Sequence, residues 1–171
     1  MLQVLIVTVA VVLVIVATFL VLDPNRFWGV FGKPDLGPVD FETLHRRSSP
    51  NDALACPAGL CKSDSDLAPP LFAINASDLR EAMIKALASE PRLSLVHSDH
   101  TTLTDRYVQR SALMGFPDTI VVRYINQPEG RSTLAIYSRA QIGYGDMGVN
   151  RARIERWLAE LKSQVSIPPG D

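Results

Sequence analysis

Between Leu2 and Leu22 the chain carries no charged residue, and only Gln3, Thr8 and Thr18 interrupt the hydrocarbon. No Lys or Arg precedes this run, and "TFLVLD" lacks a small-x-small site. Both absences argue against a cleavable signal peptide, which pairs a basic start with an apolar stretch of about 7–15 residues. Cysteine is nearly missing too, with Cys56 and Cys61 as the only two. Neither lies just after the apolar run, which argues against lipidation there. The spacer "PAGL" is longer than that of a two-cysteine redox motif, and the pair does not make up the ligand set of a structural zinc site. Nor is there an excess of one charge: 17 basic and 18 acidic residues leave a net −1, so no overall field draws nucleic acid. Internal repeats and low-complexity tracts are absent.

The uncharged run itself is the strongest positive signal. As a helix rising about 1.5 Å per residue, residues 2–22 cover about 31 Å, close to the bilayer's apolar core of about 30 Å. Phe27, Trp28 and Phe31 follow where an interfacial aromatic belt belongs. We expect an uncleaved single-pass anchor over residues 1–22 whose partner is the lipid bilayer. Arg26 and Lys33, just beyond it, favour a cytoplasmic domain, diluted by Asp23 and Asp35. The cysteine pair favours an oxidising space. The expectation is the inner (cytoplasmic) membrane with the soluble domain periplasmic.

Residues 23–50 are punctuated by "DPN", "GKPDLGP" and "SSPND" and read as a linker, within which "VDFETLHRR" can form one turn that docks Phe41 and Leu44. A domain over 51–165 and a flexible tail over 166–171 follow. Ser77 is placed to cap a helix that Pro91 stops, and Leu79, Ala82, Met83, Ala86 and Leu87 recur on one helical face. Strand-like runs occupy 92–98, 103–113, 118–125 and 132–139, joined by the turn-rich "SDHT", "MGFPD" and "NQPEG". Three glycines mark 140–150 as an ordered loop, and Ile154, Trp157, Leu158 and Leu161 give 151–161 a second amphipathic face. The expected fold is α+β: a four-stranded antiparallel sheet packed with two helices, preceded by one N-terminal transmembrane helix.

The stretches "CPAGLC", "SDSDLAPPLF", "YVQRSALMGFPDTIVVR" and "STLAIYSRAQIGYGDMGVNRARIERWL" together resemble a bacterial and plastid family known only as the domain of unknown function 1499, over roughly residues 54 to 162. The resemblance implies an envelope-associated domain, often behind an N-terminal span or signal, with activity unassigned. It implies no catalytic or ligand-binding residue.

Among candidate sites, Cys56 and Cys61 read as a structural disulfide, with free thiols or a redox or metal role as the alternatives. His97, Asp99 and His100, joined by His45, supply metal-ligand types, but a solvated hairpin end accounts for them better. Ser111, His97 and Asp118 supply the types of a hydrolytic triad without a nucleophile elbow, and "GYGDMG" lacks the spacing of a nucleotide loop. No catalytic residue, metal or cofactor is assigned. The most informative cluster is basic. Arg106 and Arg110 share a parity along one strand, and Arg123 and Arg139 lie in neighbouring runs, so a shared face would suit a carboxylate or phosphate. The competing reading pairs each arginine with a local acid, with Arg139 and Asp146 fixing the Gly-rich loop. The expected function is a binding or assembly module with an envelope protein partner or an anionic small molecule and no nucleic acid. The alternative is an enzyme or sensor using the arginine-lined face.

Overall fold

The computed structural model describes residues 1–22, 28–29 and 31–168, with side chains described for 1–18, 28–29 and 31–168. Asp23, Arg26 and Phe27, which entered the reading of the anchor's flank, and tail residues 169–171 lie outside the described residues. The first element, α1, is a helix over Leu2–Leu22. Nearly all its described side chains are exposed, Leu2 at 72% and Leu13 at 62%. Counted over the described residues, no helix is long and apolar enough to cross a membrane.

The domain is built on a five-stranded antiparallel sheet of β1 (Asp52–Ala55), β2 (Leu93–Asp99), β3 (Thr104–Arg110), β4 (Pro117–Asn126) and β5 (Ser132–Ala140). The spatial order is β1-β5-β4-β3-β2, so β2 to β5 form a meander and β1 closes the far edge. The expected sheet had four strands. The additional β1, "DALA", has neither a β-branched nor an aromatic residue, so nothing in its composition marks it as a strand. Its place comes from tertiary pairing: Leu54 aligns with Tyr137 on one side, and the amides of Asp66 and Leu67 reach the Leu54 carbonyl on the other.

Two helices cover one face, α2 (Ala76–Ala86) and α3 (Val149–Gln164). Leu79 and Met83 of α2 and Ile154, Trp157 and Leu161 of α3 pack on Ile120, Val122, Leu134 and Ile136, all buried. The cap of α2 is Asn75 rather than Ser77, its side chain accepting from the Asp78 amide at 2.9 Å. The helix ends at Ala86 instead of running to Glu90, because the amides of Ala88 and Glu90 tighten onto carbonyls three residues back. α3 begins earlier than its apolar repeat, at Gly148 in the left-handed region (φ 79°), where glycine avoids a Cβ clash.

The second face carries its own core. Phe41 and Leu44 are buried against Leu54, Val121, Ala135 and Tyr137. The described part of the 23–50 stretch thus lies across the sheet as a strap. Cys56 and Cys61 are joined in a disulfide beside this core, which is the structural reading of the pair.

Candidate functional site

Side chains alternate across a pleated strand, so register decides which arginines meet. Arg106 aligns with Val121 and Arg110 with Pro117, while Arg123 aligns with Ala135 and Thr119 with Arg139. All four arginines therefore lie on the strap side of the sheet, away from the helices. They do not converge on one empty point, because each is engaged separately. Arg106 Nε donates to both oxygens of Asp35, at 2.8 and 3.0 Å. Arg123 Nη1 pairs with Glu42 at 3.2 Å. Arg139 Nη2 donates to the carbonyls of Leu36 and Gly37 and lies 5.6 Å from the Tyr137 ring centroid. Burial lowers the Arg139 pKa below its ordinary value. Arg110 Nη1 donates to the Gly115 carbonyl at 2.9 Å.

The expected Arg139–Asp146 pairing is not the one formed. Asp146 turns to the start of α3, accepting from the Gly148 amide and from both the backbone amide and Nδ2 of Asn150. The first amides of a helix have no intrahelical acceptor and carry a partial positive charge, so they outcompete a guanidinium on the opposite face.

Two of the four arginines open onto a common groove of about 710 Å³ at the end of the sheet formed by the β2–β3 turn. Pro38, Val39 and Asp40 of the strap form one wall, and His97, Thr104, Arg106, Arg123 and Ile125 contribute from the strands. His97 enters because the bulge between Leu95 and His97 shifts the register and aligns it with Arg106. On the rim, the amides of Thr102 and Thr101 hold the Asp99 carboxyl below its ordinary pKa and fix it in the turn. The Arg123–Glu42 pair is the exchangeable one, with side chains 37% and 59% exposed. Pairs of that kind contribute only about 0–1 kcal/mol. An incoming carboxylate or phosphate can take Glu42's place on a planar two-pronged donor.

The residues of the other constellations separate. His100 Nδ1 meets Arg80 Nη1 at 2.9 Å, whereas His97 faces the groove and His45 is exposed. Among the described residues no cluster of three or more His, Cys, Asp or Glu is arranged to hold a metal ion. Ser111 Oγ accepts from the Phe116 amide within the β3–β4 turn. Asp118 lies on the helix side, where Arg153 Nη2 reaches it at 2.6 Å.

Two buried polar clusters had no counterpart in the sequence reading. Arg80 of α2 forks onto Asp105, with Nε and Nη2 each 2.9 Å from a carboxylate oxygen, and also bonds Ser98. Its signal was present, since Arg80 sits between Leu79 and Met83 on the apolar side of the helix and so had to be paired. Beneath α3, Arg153 links Asp118, Gln109, Ser138 and Asn150. Burial pushes the Asp118 carboxyl above its ordinary range, against the opposing pull of Arg153. These clusters tie helices to sheet, the Arg153–Asp118 and Arg80–Asp105 pairs both being largely buried.

Compared with known families, residues 40–161 match the one described as "Protein of unknown function (DUF1499)". No curated protein gives a match to the chain.

Proposed function

Starting from the fact that the chain belongs to the DUF1499 family, we propose that it is a membrane-anchored binding module whose groove beside Arg106 and Arg123 takes an anionic small molecule. The observation that carries this reading is the groove itself. Its volume of about 710 Å³ falls within the range of small-molecule sites, about 300–1,000 Å³. Its lining joins an apolar wall, Val39 and Ile125, to the exchangeable guanidinium of Arg123.

The anchor is α1. The helix continues to Leu22, beyond the last described side chain, and the uncharged run has the same limits. Its two threonine hydroxyls donate to carbonyls four residues back, Thr8 to Val4 at 2.8 Å and Thr18 to Val14 at 2.7 Å. Both polar groups are thereby satisfied within the helix, as hydrocarbon surroundings require. The Cys56–Cys61 bridge supports an oxidising compartment, hence the periplasmic face of the inner membrane. It weighs against the two basic residues that follow the helix.

Calorimetric titration of the full chain in lipid nanodiscs with citrate, glycerol phosphate and inorganic phosphate tests the groove. Binding of one of these anions, weakened in Arg123→Gln, is expected. No heat from any of them, or unchanged binding by the variant, contradicts the reading. A reporter fused after Asp171 tests the orientation.

A further inference from the structure

The two ends of the sheet differ in chemistry. At one end the β3–β4 loop (111–116) and the β5–α3 loop (141–148) lie side by side, because Arg110 aligns with Pro117 and Asp118 with Ala140. Leu113 (91% exposed), Tyr144 (78%) and the fully exposed Met147 project from these loops. Met147 does so from the left-handed backbone region (φ 55°), a strained conformation for a residue with a Cβ that no burial within the domain offsets. Among the described residues, the turns at the opposite end, 100–103 and 127–131, carry no exposed large hydrophobic side chain.

The apolar end is also where the chain arrives from α1. Trp28 Nε1 donates to the Met114 carbonyl at 2.5 Å, its ring centroid lies 4.4 Å from that of Phe116, and Gln141 Nε2 donates to the Lys33 carbonyl at 2.6 Å. From Leu22 to Trp28 the backbone can extend at most about 20 Å. Whatever holds α1 therefore holds these loops close by. Arg47 and Arg92 add positive charge at the same end. They donate to the Ala140 and Arg110 carbonyls and, among the described residues, neither has an acidic partner.

We propose that this end of the domain rests on the bilayer, with Leu113, Tyr144 and Met147 at the boundary between headgroups and acyl chains, and Arg47 and Arg92 facing lipid phosphates. The inference builds on the reading of α1 as a membrane anchor. Exposed apolar tips with a basic flank are the composition of a surface that lies on a membrane. A consequence is orientation: the Arg123 groove, at the opposite end of the strands, faces away from the lipid.

The test is photocrosslinking of the full chain in nanodiscs of phosphatidylcholine and phosphatidylglycerol. A benzophenone side chain replaces Val11, Leu113, Met147 or Glu129 in turn, and lipid adducts are read by mass spectrometry. Adducts at 11, 113 and 147 with none at 129 are expected. Adducts at 11 with none at 113 or 147 overturn this inference and leave the anchor standing. Adducts at 129 as abundant as those at 113 also overturn it, and no adduct at 11 removes the anchor and the inference together.

Discussion

Arg153 Nη2 donates to the Asp118 carboxylate at 2.6 Å beneath α3, with side chains only 5% and 10% exposed. Removing one partner of such a pair leaves the other's charge buried alone, a loss of about 3–5 kcal/mol. Arg153→Ala, which leaves the Asp118 carboxyl without its cation, and Asp118→Asn, which leaves the Arg153 guanidinium buried without its anion, should therefore each lower the denaturant midpoint strongly. Losses of no more than about 1 kcal/mol, the worth of an exposed pair, would mean that the pair is not closed to water.

The strap is clasped to the sheet through Arg106, whose Nε holds Asp35, and through Thr119, whose Oγ1 accepts from the Leu36 amide at 2.9 Å. Arg106→Ala should raise hydrogen exchange at Leu36 and Gly37 while leaving α3 protected. Unchanged protection across 34–39 would show that the Phe41 and Leu44 core holds the strap unaided.

The Cys56–Cys61 bridge has a sequence separation of 5. Closing so short a loop removes little unfolded-state entropy, about 2 kcal/mol. Cys56→Ser with Cys61→Ser should lower the unfolding free energy by about that much and leave the fold intact. A protein that no longer folds would show that the Phe41 and Leu44 core does not hold this region without the bridge.

Burial holds the Tyr107 hydroxyl up to about 12 and raises Tyr124 and Tyr137 above their ordinary value as well. A group whose folded pKa is raised contributes stability in full below its unfolded pKa, about 10 for tyrosine, and loses it as pH rises through the folded value. The unfolding midpoint should fall steadily from about pH 10 toward about pH 12, in step with tyrosinate absorbance. A midpoint that is flat over this range would place the three hydroxyls in contact with water.

What the sequence discloses here follows the range of the interaction. The meander and the apolar faces of α2 and α3 are legible because strand and helix periods act over a few residues. The common parity of Arg106 and Arg110 is legible for the same reason. The acids that engage the groove arginines are not: Asp35 lies 71 positions from Arg106 and Glu42 lies 81 from Arg123. β1 is invisible because "DALA" is a strand only through its neighbours. The Asp146 assignment misled because nearness along the chain to Arg139 says nothing of which face each residue takes, whereas the start of α3 lies within four residues. The groove arises from a bulge at Val96 and a strap laid across the sheet, and neither leaves a mark in composition.

The reading of an anchored module is tested most directly by the state of the chain in its native membrane. Membranes washed in alkaline carbonate and analysed by peptide mass mapping should retain the chain with its apolar run from Leu2 to Leu22 still attached. A lighter species in the soluble fraction, lacking the apolar run from Leu2 to Leu22, would contradict the account.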